Sequence, residues 1–396
     1  MKRIKVTVLS PSPFHLFNLS YQLQKDALLY SLITYYPKFY INKKYKIHSR
    51  NIKNLIFFYF LYIILQKSIL YNFAKTNDLI NQFMHISFSK ISPFFISEKT
   101  DFFIGLSGFS LESINKCKRK KIISAVDYSA LHPVSVNDQV SKHANKWGVP
   151  LNECYLNKDW LIKRQNLEFS NSDYIILSSE VSKNSFIAEG YNSSKLFVNN
   201  LSIKIENFKK IENIENERFR IIQVGTITIL KGVLTLIQAF KNAKIKNSEL
   251  LFVGPYKYGP VFNKLIINLS KNHAINFHKG VNKNKLNYLY NTSSVFVLAS
   301  LCDGFGLVVA EAMSIGLPVI VTDSTGAADL INHGENGFIV KTDSEEEISY
   351  YLKLLYNDIE LRKKIGRNAQ LTISNKSLDK YGESYSNFIR QKLSQK

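Results

Sequence analysis

The stretch LASLCDGFGLVVAEAMSIGLPVIVTD (residues 298–323) decides how the chain is read. Apolar runs at 295–298 and 318–322 bracket a Gly-containing loop and a helical segment, Leu307 to Ile315, that stops at Gly316-Leu317-Pro318. Strand, loop, helix and strand in that order form a βαβ unit of a parallel sheet. Into this apolar run fall two acids, Asp303 and Glu311. A buried carboxylate without partners is costly, so each must meet something. Gly304 and Gly306 flank Phe305 and lack a Cβ, so backbone there can approach a ligand and turn its N–H groups outward. The helix start at Leu307 and Val308 suits a phosphate, through free N–H donors and the helix dipole. Glu311 follows a little over one turn later, roughly 6 Å along the axis, on the face of the helix start. That spacing suits a ribose joined to a diphosphate, because a carboxylate accepts two hydroxyl hydrogen bonds well. Asp303, beyond the glycines, would then face the sugar hydroxyls past the diphosphate. The plainer alternative makes Asp303 an N-cap and pairs Glu311 with a structural lysine or arginine.

The same alternation extends outward. Strands are expected at Arg220–Val224, Glu249–Val253, Ile275–His278, Val295–Leu298, Pro318–Thr322 and Gly337–Val340, with helical segments between nearly all of them. The first half is less regular, with strands expected at Ile4–Leu9, Phe102–Leu106, Lys121–Val126, Tyr174–Leu177 and Lys195–Asn199, and with residues 40–100 hard to parse. Between the halves, the charged, Asn-rich segment 203–219 reads as a linker. The reading is an α/β chain of two parallel-sheet domains, residues 1–204 and 205–375. The tail from about 376 to 396 carries Tyr381, Tyr385, Phe388, Ile389 and Leu393 on one helical face, which can pack back on the first domain.

A chain of 396 residues is long for one core, which agrees with two domains. Its charge is +21. Residues 1–210 hold 29 basic and 14 acidic residues, a net +15 that leaves +6 for the remainder. Such a bias favours an anionic partner. No nucleic-acid-binding motif accompanies it. The apolar segment Leu55–Leu65 is about half the length that spans a bilayer, so it reads as a buried or interfacial helix. Basic charge in the same half makes an anionic membrane surface the preferred partner. The densest basic run, KCKRKK (116–121), reads as a solvated loop before a strand. Cys117, Cys154 and Cys302 are far apart, without disulfide or zinc spacing, and fit a reducing cytoplasm. The N-terminal apolar run is too short for a signal peptide.

Three further segments repeat the strand-turn-helix plan. In VGTITILKG (224–232) the strand ends at Gly225-Thr226 and Lys231 opens a helix, which places an ammonium among helix-start N–H groups, although no Walker loop is present. In FHKGV (277–281) the backbone of Gly280 and Val281 can pair with a nucleobase edge. The segment TGAADLINHGENGFIV (325–340) is turn-rich. Taken alone, each of these is an ordinary turn.

Taken in order, these elements resemble the nucleotide-sugar domain of the family-4 glycosyltransferases of the group 1 type, retaining enzymes with two Rossmann-like domains facing a cleft, the GT-B fold. The family's E-x7-E stands here as Asp303 and Glu311. Three departures are Thr226 where many members have arginine, Asp303 for the usual glutamate, and Ala327 for the second glycine of a pair. The resemblance implies that Lys231 contacts the diphosphate, Glu311 the ribose, Asp303 and residues 304–306 the donor sugar, and the Leu307 and Val308 amides the phosphates. In the first half, PFHLFNLSYQL and DYSALHPVSVNDQV are similar to a subset of the family. This implies a catalytic His132 lining the cleft near the donor sugar or acceptor hydroxyl, and an acceptor side formed by Phe14, His15 and Asp127, while Glu168 reads as a structural ion-pair member. The implied activity is retaining transfer of a sugar from a nucleotide diphosphate sugar to an acceptor hydroxyl, on a carbohydrate or lipid-linked glycan in surface polysaccharide synthesis. The place implied is the cytoplasm, peripheral on the inner membrane face. No D-x-D occurs, so neither metal nor cofactor is expected. The rival readings are a sugar-nucleotide epimerase on the same fold and a non-catalytic scaffold binding nucleotide sugar or membrane.

Overall fold

Runs such as VTVL (6–9), VFVL (295–298) and VIVT (319–322) are buried at every position, as strands covered by helices on both faces must be. A computed structural model describes residues 3–68, 74–201, 208–212, 217–256, 259–374 and 376–395. In the first domain β1 (Val6–Leu9), β2 (Leu29–Thr34), β3 (Ile52–Asn54), β4 (Phe102–Leu106), β5 (Ile123–Tyr128), β6 (Tyr174–Leu177) and β7 (Leu196–Val198) form a parallel sheet in the order β3-β2-β1-β4-β5-β6-β7. In the second, β8 (Phe219–Val224), β9 (Ser248–Val253), β10 (Ile275–His278), β11 (Val295–Leu298), β12 (Val319–Thr322) and β13 (Phe338–Val340) pair in the order β10-β9-β8-β11-β12-β13. Each order reverses once, between β1 and β4 and between β8 and β11. At such reversals the outgoing loops diverge and leave a crevice at the carboxyl ends of the strands. The architecture is the doubled Rossmann-like arrangement expected from the sequence.

Two first-half strands were not anticipated. β2 carries Ser31 and Thr34 inward, where Ser31 and Thr100 both hydrogen-bond Thr7 Oγ1, at 3.2 and 2.9 Å. Polar residues in a buried strand erase its apolar pattern, and β3 has only three residues to show one. The strand expected at Lys121–Val126 begins two residues later because Lys121 adopts a left-handed conformation, φ 55°. The expected division near 204–205 and much of the 203–219 linker lie outside the described residues. The run 116–121 is not a free loop: it closes the helix Leu111–Arg119. Lys116 Nζ donates to the carbonyls of Pro93 and Ile96, both at 2.8 Å, and Lys120 pairs with Glu98 at 2.7 Å.

The domains are joined by more than a covalent link. Val136, Val140 and Ala144, on the helix Pro133–Trp147, share one core with Leu234, Ile237 and Leu352 of the second domain. Above that contact Asp343 lies 3.1 Å from His143 Nδ1 and 3.0 Å from Lys146 Nζ. Glu153 accepts the N–H groups of Val261 and Phe262, at 3.1 and 3.0 Å, at the start of the helix Pro260–Ser270. Such a carboxylate satisfies donors that the helix itself leaves open.

The last helix, Leu378–Ser394, crosses back to the first sheet. Tyr381, Tyr385, Phe388 and Ile389 are buried on it, and Phe388 stacks on Phe197 of β7 at 4.0 Å. A large aromatic truncated in a filled core costs about 3–5 kcal/mol. Phe388→Ala is therefore expected to lower the unfolding free energy by about that amount in urea titration, with unfolding of the first domain advanced.

Candidate active site

Two loops at the reversal of the second sheet carry most of the chemistry. After β8, Gly225 donates its N–H to Val253 O at 3.0 Å, and the chain passes Thr226 into a tight 3-10 turn, Ile229–Lys231. The next residue, Gly232, has φ 63°, and a Cβ there would lie 1.8 Å from Ala299 O. Only glycine lets this turn sit against the loop that follows β11, where Leu301 N–H donates to Leu230 O at 2.9 Å. That apposition brings Lys231 Nζ to 2.5 Å from Asp303 Oδ2. The other Asp303 oxygen accepts the Phe305 N–H at 3.3 Å. Asp303 is thus met by a lysine and is not the helix N-cap, a place taken by Gly306 before Leu307–Ser314.

Glu311 lies on that helix and accepts a hydrogen bond from Tyr290 Oη at 3.2 Å. Burial raises its pKa, against the Tyr290 hydrogen bond and the Lys283 charge. Its partner is therefore a hydroxyl rather than a lysine or arginine. Gly280 and Val281 sit in the loop after β10, ahead of the helix Lys283–Asn291 that supplies Tyr290. Val281 packs in the same core cluster as Tyr290, while Gly280 is exposed. Leu307 is exposed and Val308 partly buried at the start of the Glu311 helix. Lys231, Asp303, Phe305, Leu307, Val308 and Glu311 thus share one corner of the second domain.

Gly304 has a different use from the expected one. A Cβ there would lie 1.9 Å from Ser129 O, in the loop after β5 of the first domain. Its carbonyl accepts hydrogen bonds from Ser178 Oγ and Ser179 Oγ, both at 2.8 Å. The close approach that glycine permits is to the other domain. Nearby, Asp329 accepts the Glu180 N–H at 2.8 Å and Asn200 Nδ2 at 3.2 Å. Ser178, Ser179 and Asp329 were not singled out in the sequence, where only the capping potential of Ser179 before Glu180–Ala188 is visible. Ala327 is buried in the same core as Phe305, which accommodates its methyl group.

Across from this corner, His15 opens the helix His15–Lys25 after β1 and Asp127 lies in β5. His15 Nε2 is 2.6 Å from Asp127 Oδ1, and Tyr385 Oη donates to Asp127 Oδ2 at 2.6 Å. His15 Nδ1 is buried without a hydrogen-bond partner. Ser129 Oγ is 3.4 Å from Nε2, and the same residue's carbonyl faces Gly304. Phe14 is half exposed, with its ring 4.6 Å from that of His15.

His132 does not line the crevice. Its side chain is 2% exposed and packs edge-on against Phe186 at 4.9 Å, beside Phe169 and Tyr191. Neither ring nitrogen has a hydrogen-bond partner, and burial lowers its pKa. Its place before Pro133 holds the backbone extended, at φ −51° and ψ 132°, and the aromatic cluster takes up the ring. Glu168 is structural, but not through the expected ion pair. It accepts from Ser107 Oγ at 3.0 Å, Gly108 N at 2.5 Å and Ser110 N at 2.7 Å, while Arg164 pairs with Glu112. It thereby braces the loop after β4, and burial pushes its pKa up to about 7. Among the described residues, no three His, Cys, Asp or Glu side chains gather as a metal site.

Residues 204–372 match the family model described as glycosyl transferases group 1. This segment holds Lys231, Asp303 and Glu311, so the corner just described lies within it. The capsular polysaccharide biosynthesis glycosyltransferase CapM of Staphylococcus aureus is 33% identical over 213 residues, 51% of this chain and 54% of that protein. The alpha-monoglucosyldiacylglycerol synthase of Acholeplasma laidlawii is 24% identical over 251 residues, 63% and 58% of the two chains. The chain spans about half the length of the curated relatives it matches. Among solved structures, sucrose-phosphate synthase of Thermosynechococcus elongatus superposes with a TM-score of 0.72 at 15% identity, over 100% of both chains. HepE of Anabaena, in complex with UDP and glucose, does so at 0.65 and 15% identity, over 98% of this chain and 99% of that one. These likenesses establish the GT-B fold.

Two expectations follow from the site. Gly304→Ala must push the loop off Ser129, at about 1–3 kcal/mol; faster hydrogen exchange at residues 129–131 and 178–182 and a larger radius of gyration by X-ray scattering would show it. For Glu168 the folded pKa is raised, so the folded state holds a proton that the unfolded state has released. Stability is then fully present below about pH 4.5 and falls by roughly 3 kcal/mol as pH rises to about 7. Urea titrations at pH 5 and 7.5 should show that fall in the native protein and its loss in Glu168→Gln.

Proposed function

We propose that this protein transfers a sugar from a nucleotide diphosphate sugar to an acceptor hydroxyl, with retention at the anomeric carbon, as resemblance to family 4 implies. One observation carries the reading: Lys231, Asp303 and Glu311 lie at the reversal of the second sheet, and the neighbouring Gly304 packs on Ser129, whose hydroxyl is 3.4 Å from His15. The match of residues 204–372 to a glycosyltransferase family supports it. The Lys231–Asp303 pair is the resting form of the donor corner. An incoming diphosphate competes for the Lys231 ammonium and frees the Asp303 carboxylate for hydroxyls of the donor sugar. Glu311 accepts the ribose hydroxyls. The bond between the anomeric carbon and the diphosphate oxygen breaks, its electron pair leaves on the diphosphate, and Lys231 and the helix-start amides stabilise that charge. The acceptor oxygen bonds to the anomeric carbon on the same face, and its proton passes to the departing diphosphate. Lys231 and the amides take the part a metal would otherwise play.

The acceptor we infer is a lipid-linked glycan at the inner membrane face, in surface polysaccharide synthesis. The Staphylococcus aureus relative is named for capsular polysaccharide biosynthesis and the Acholeplasma laidlawii one as a synthase of alpha-monoglucosyldiacylglycerol, which supports that direction.

Glu311→Gln is expected to weaken UDP binding about tenfold or more by titration calorimetry, since a hydrogen bond to a charged group is worth about 1.5–3 kcal/mol. Lys231→Ala should lower kcat/KM by about a hundredfold or more. Because the pKa of Glu311 is raised, donor affinity should fall on acidification starting above the ordinary carboxylate range. Glu311→Gln should flatten that dependence. Wild-type transfer by both variants would overturn the site. Release of an altered nucleotide sugar without acceptor would identify an epimerase, and donor binding without transfer or hydrolysis would identify a scaffold.

A further inference from the structure

The helices Ile56–Lys67 and Ala74–Ile91 form a pair inserted between β3 and β4. Phe58 and Phe88 bury their contact, with ring centroids 5.8 Å apart. The outer faces stay uncovered: Phe57, Phe60 and Ile64 are 70%, 55% and 65% exposed, and Leu79 and Phe83 are 64% and 53% exposed. These are not scattered. Positions 57, 60 and 64 form a stripe at helical spacing that reaches exposed Lys67, and 79, 83 and 86 form one that reaches exposed Lys90. Exposed apolar residues in such number on one element mark an interaction surface.

The placement of the pair gives it a direction. His85 Nδ1 meets Gly108 O, just beyond the carboxyl end of β4, and Trp160 Nε1 donates to Asp78 at 3.2 Å. The second helix runs back toward β4, so Asp78 lies roughly 10 Å farther out than His85 at 1.5 Å per residue. The pair therefore stands out from the edge of the sheet where His15 and Asp127 lie. The chain that leads into the pair is basic: residues 27–77 contain eight Lys or Arg and neither Asp nor Glu, and the next acid, Asp78, is taken up by Trp160. Among the described residues no helix is long and apolar enough to cross a membrane. Apolar stripes with basic ends on short helices suit the interface of an anionic bilayer, where rings enter the headgroup boundary and ammonium groups meet lipid phosphates.

We propose that this helix pair docks the protein on an anionic lipid bilayer and turns the carboxyl-end edge of the first sheet toward it. The proposal rests on the preceding reading for its purpose, since it would present the cleft to a membrane-borne acceptor, but its test does not require sugar transfer. Sedimentation with phosphatidylcholine vesicles containing roughly 30% phosphatidylglycerol should carry the protein down, and pure phosphatidylcholine vesicles should do so weakly. Phe57→Ser, Phe60→Ser and Ile64→Ser combined should reduce binding about tenfold or more while UDP affinity by calorimetry stays as in the wild type. Should that variant not fold, Phe60→Trp supplies the readout, its added fluorescence quenched by brominated lipid in the bound state. The proposal fails if wild-type protein stays in the supernatant with anionic vesicles, if the triple variant sediments as wild type does, or if the added tryptophan of bound protein is unquenched. A lipid-free dimer abolished by the triple substitution would overturn it in favour of a second copy of this chain as the occupant. Loss of UDP binding by wild-type protein would instead count against the sugar-transfer reading and leave docking standing.

Discussion

The carbonyl of Gly304 is where the two sheets meet. Two serine hydroxyls from the first domain, Ser178 and Ser179, bind it, while the preceding residue, Asp303, holds Lys231. Domain contact and donor corner are therefore consecutive residues of one loop. A loop pinned on one side by two hydrogen bonds and on the other by an ion pair has little freedom to misplace its carboxylate. Any change in how the domains sit is felt at Asp303, and a ligand that takes Lys231 from Asp303 loosens a residue adjoining the domain contact.

The first domain mirrors this economy. Asp127 is held by the final helix through Tyr385 and in turn orients His15, so the carboxyl terminus of the chain fixes a side chain near its start. The crossing of the last helix thus positions the edge of the first sheet as well as covering it. Glu168 does the same for the loop after β4, with three donors converging on one buried carboxyl.

Charge is distributed to a different end. The acid-free segment 27–77 adjoins the exposed aromatic stripes, whereas the second domain, with its near balance of charges, holds the donor corner.

The second domain was legible because its strands are short, mostly apolar runs and its loops carry the candidate residues close to a helix start. β10, β11 and the Glu311 helix follow from local pattern alone, and helix period places Glu311 on the face of the helix start. β2 was hidden because Ser31 and Thr34 find their partners outside the strand, on Thr7 of β1 and on the Pro11 carbonyl, contacts that no local window contains. His132 reads as a cleft residue from its loop, yet an aromatic cluster assembled from positions 169, 186 and 191 claims its ring. The pairing of Lys231 with Asp303, 72 residues apart, and of Gly304 with Ser178 and Ser179, more than 120 apart, exists only once two sheets have formed and packed. Periodicity and backbone chemistry are local and can be read along the chain; the partners of a buried charge are set by which loops the folded sheets bring within hydrogen-bonding distance.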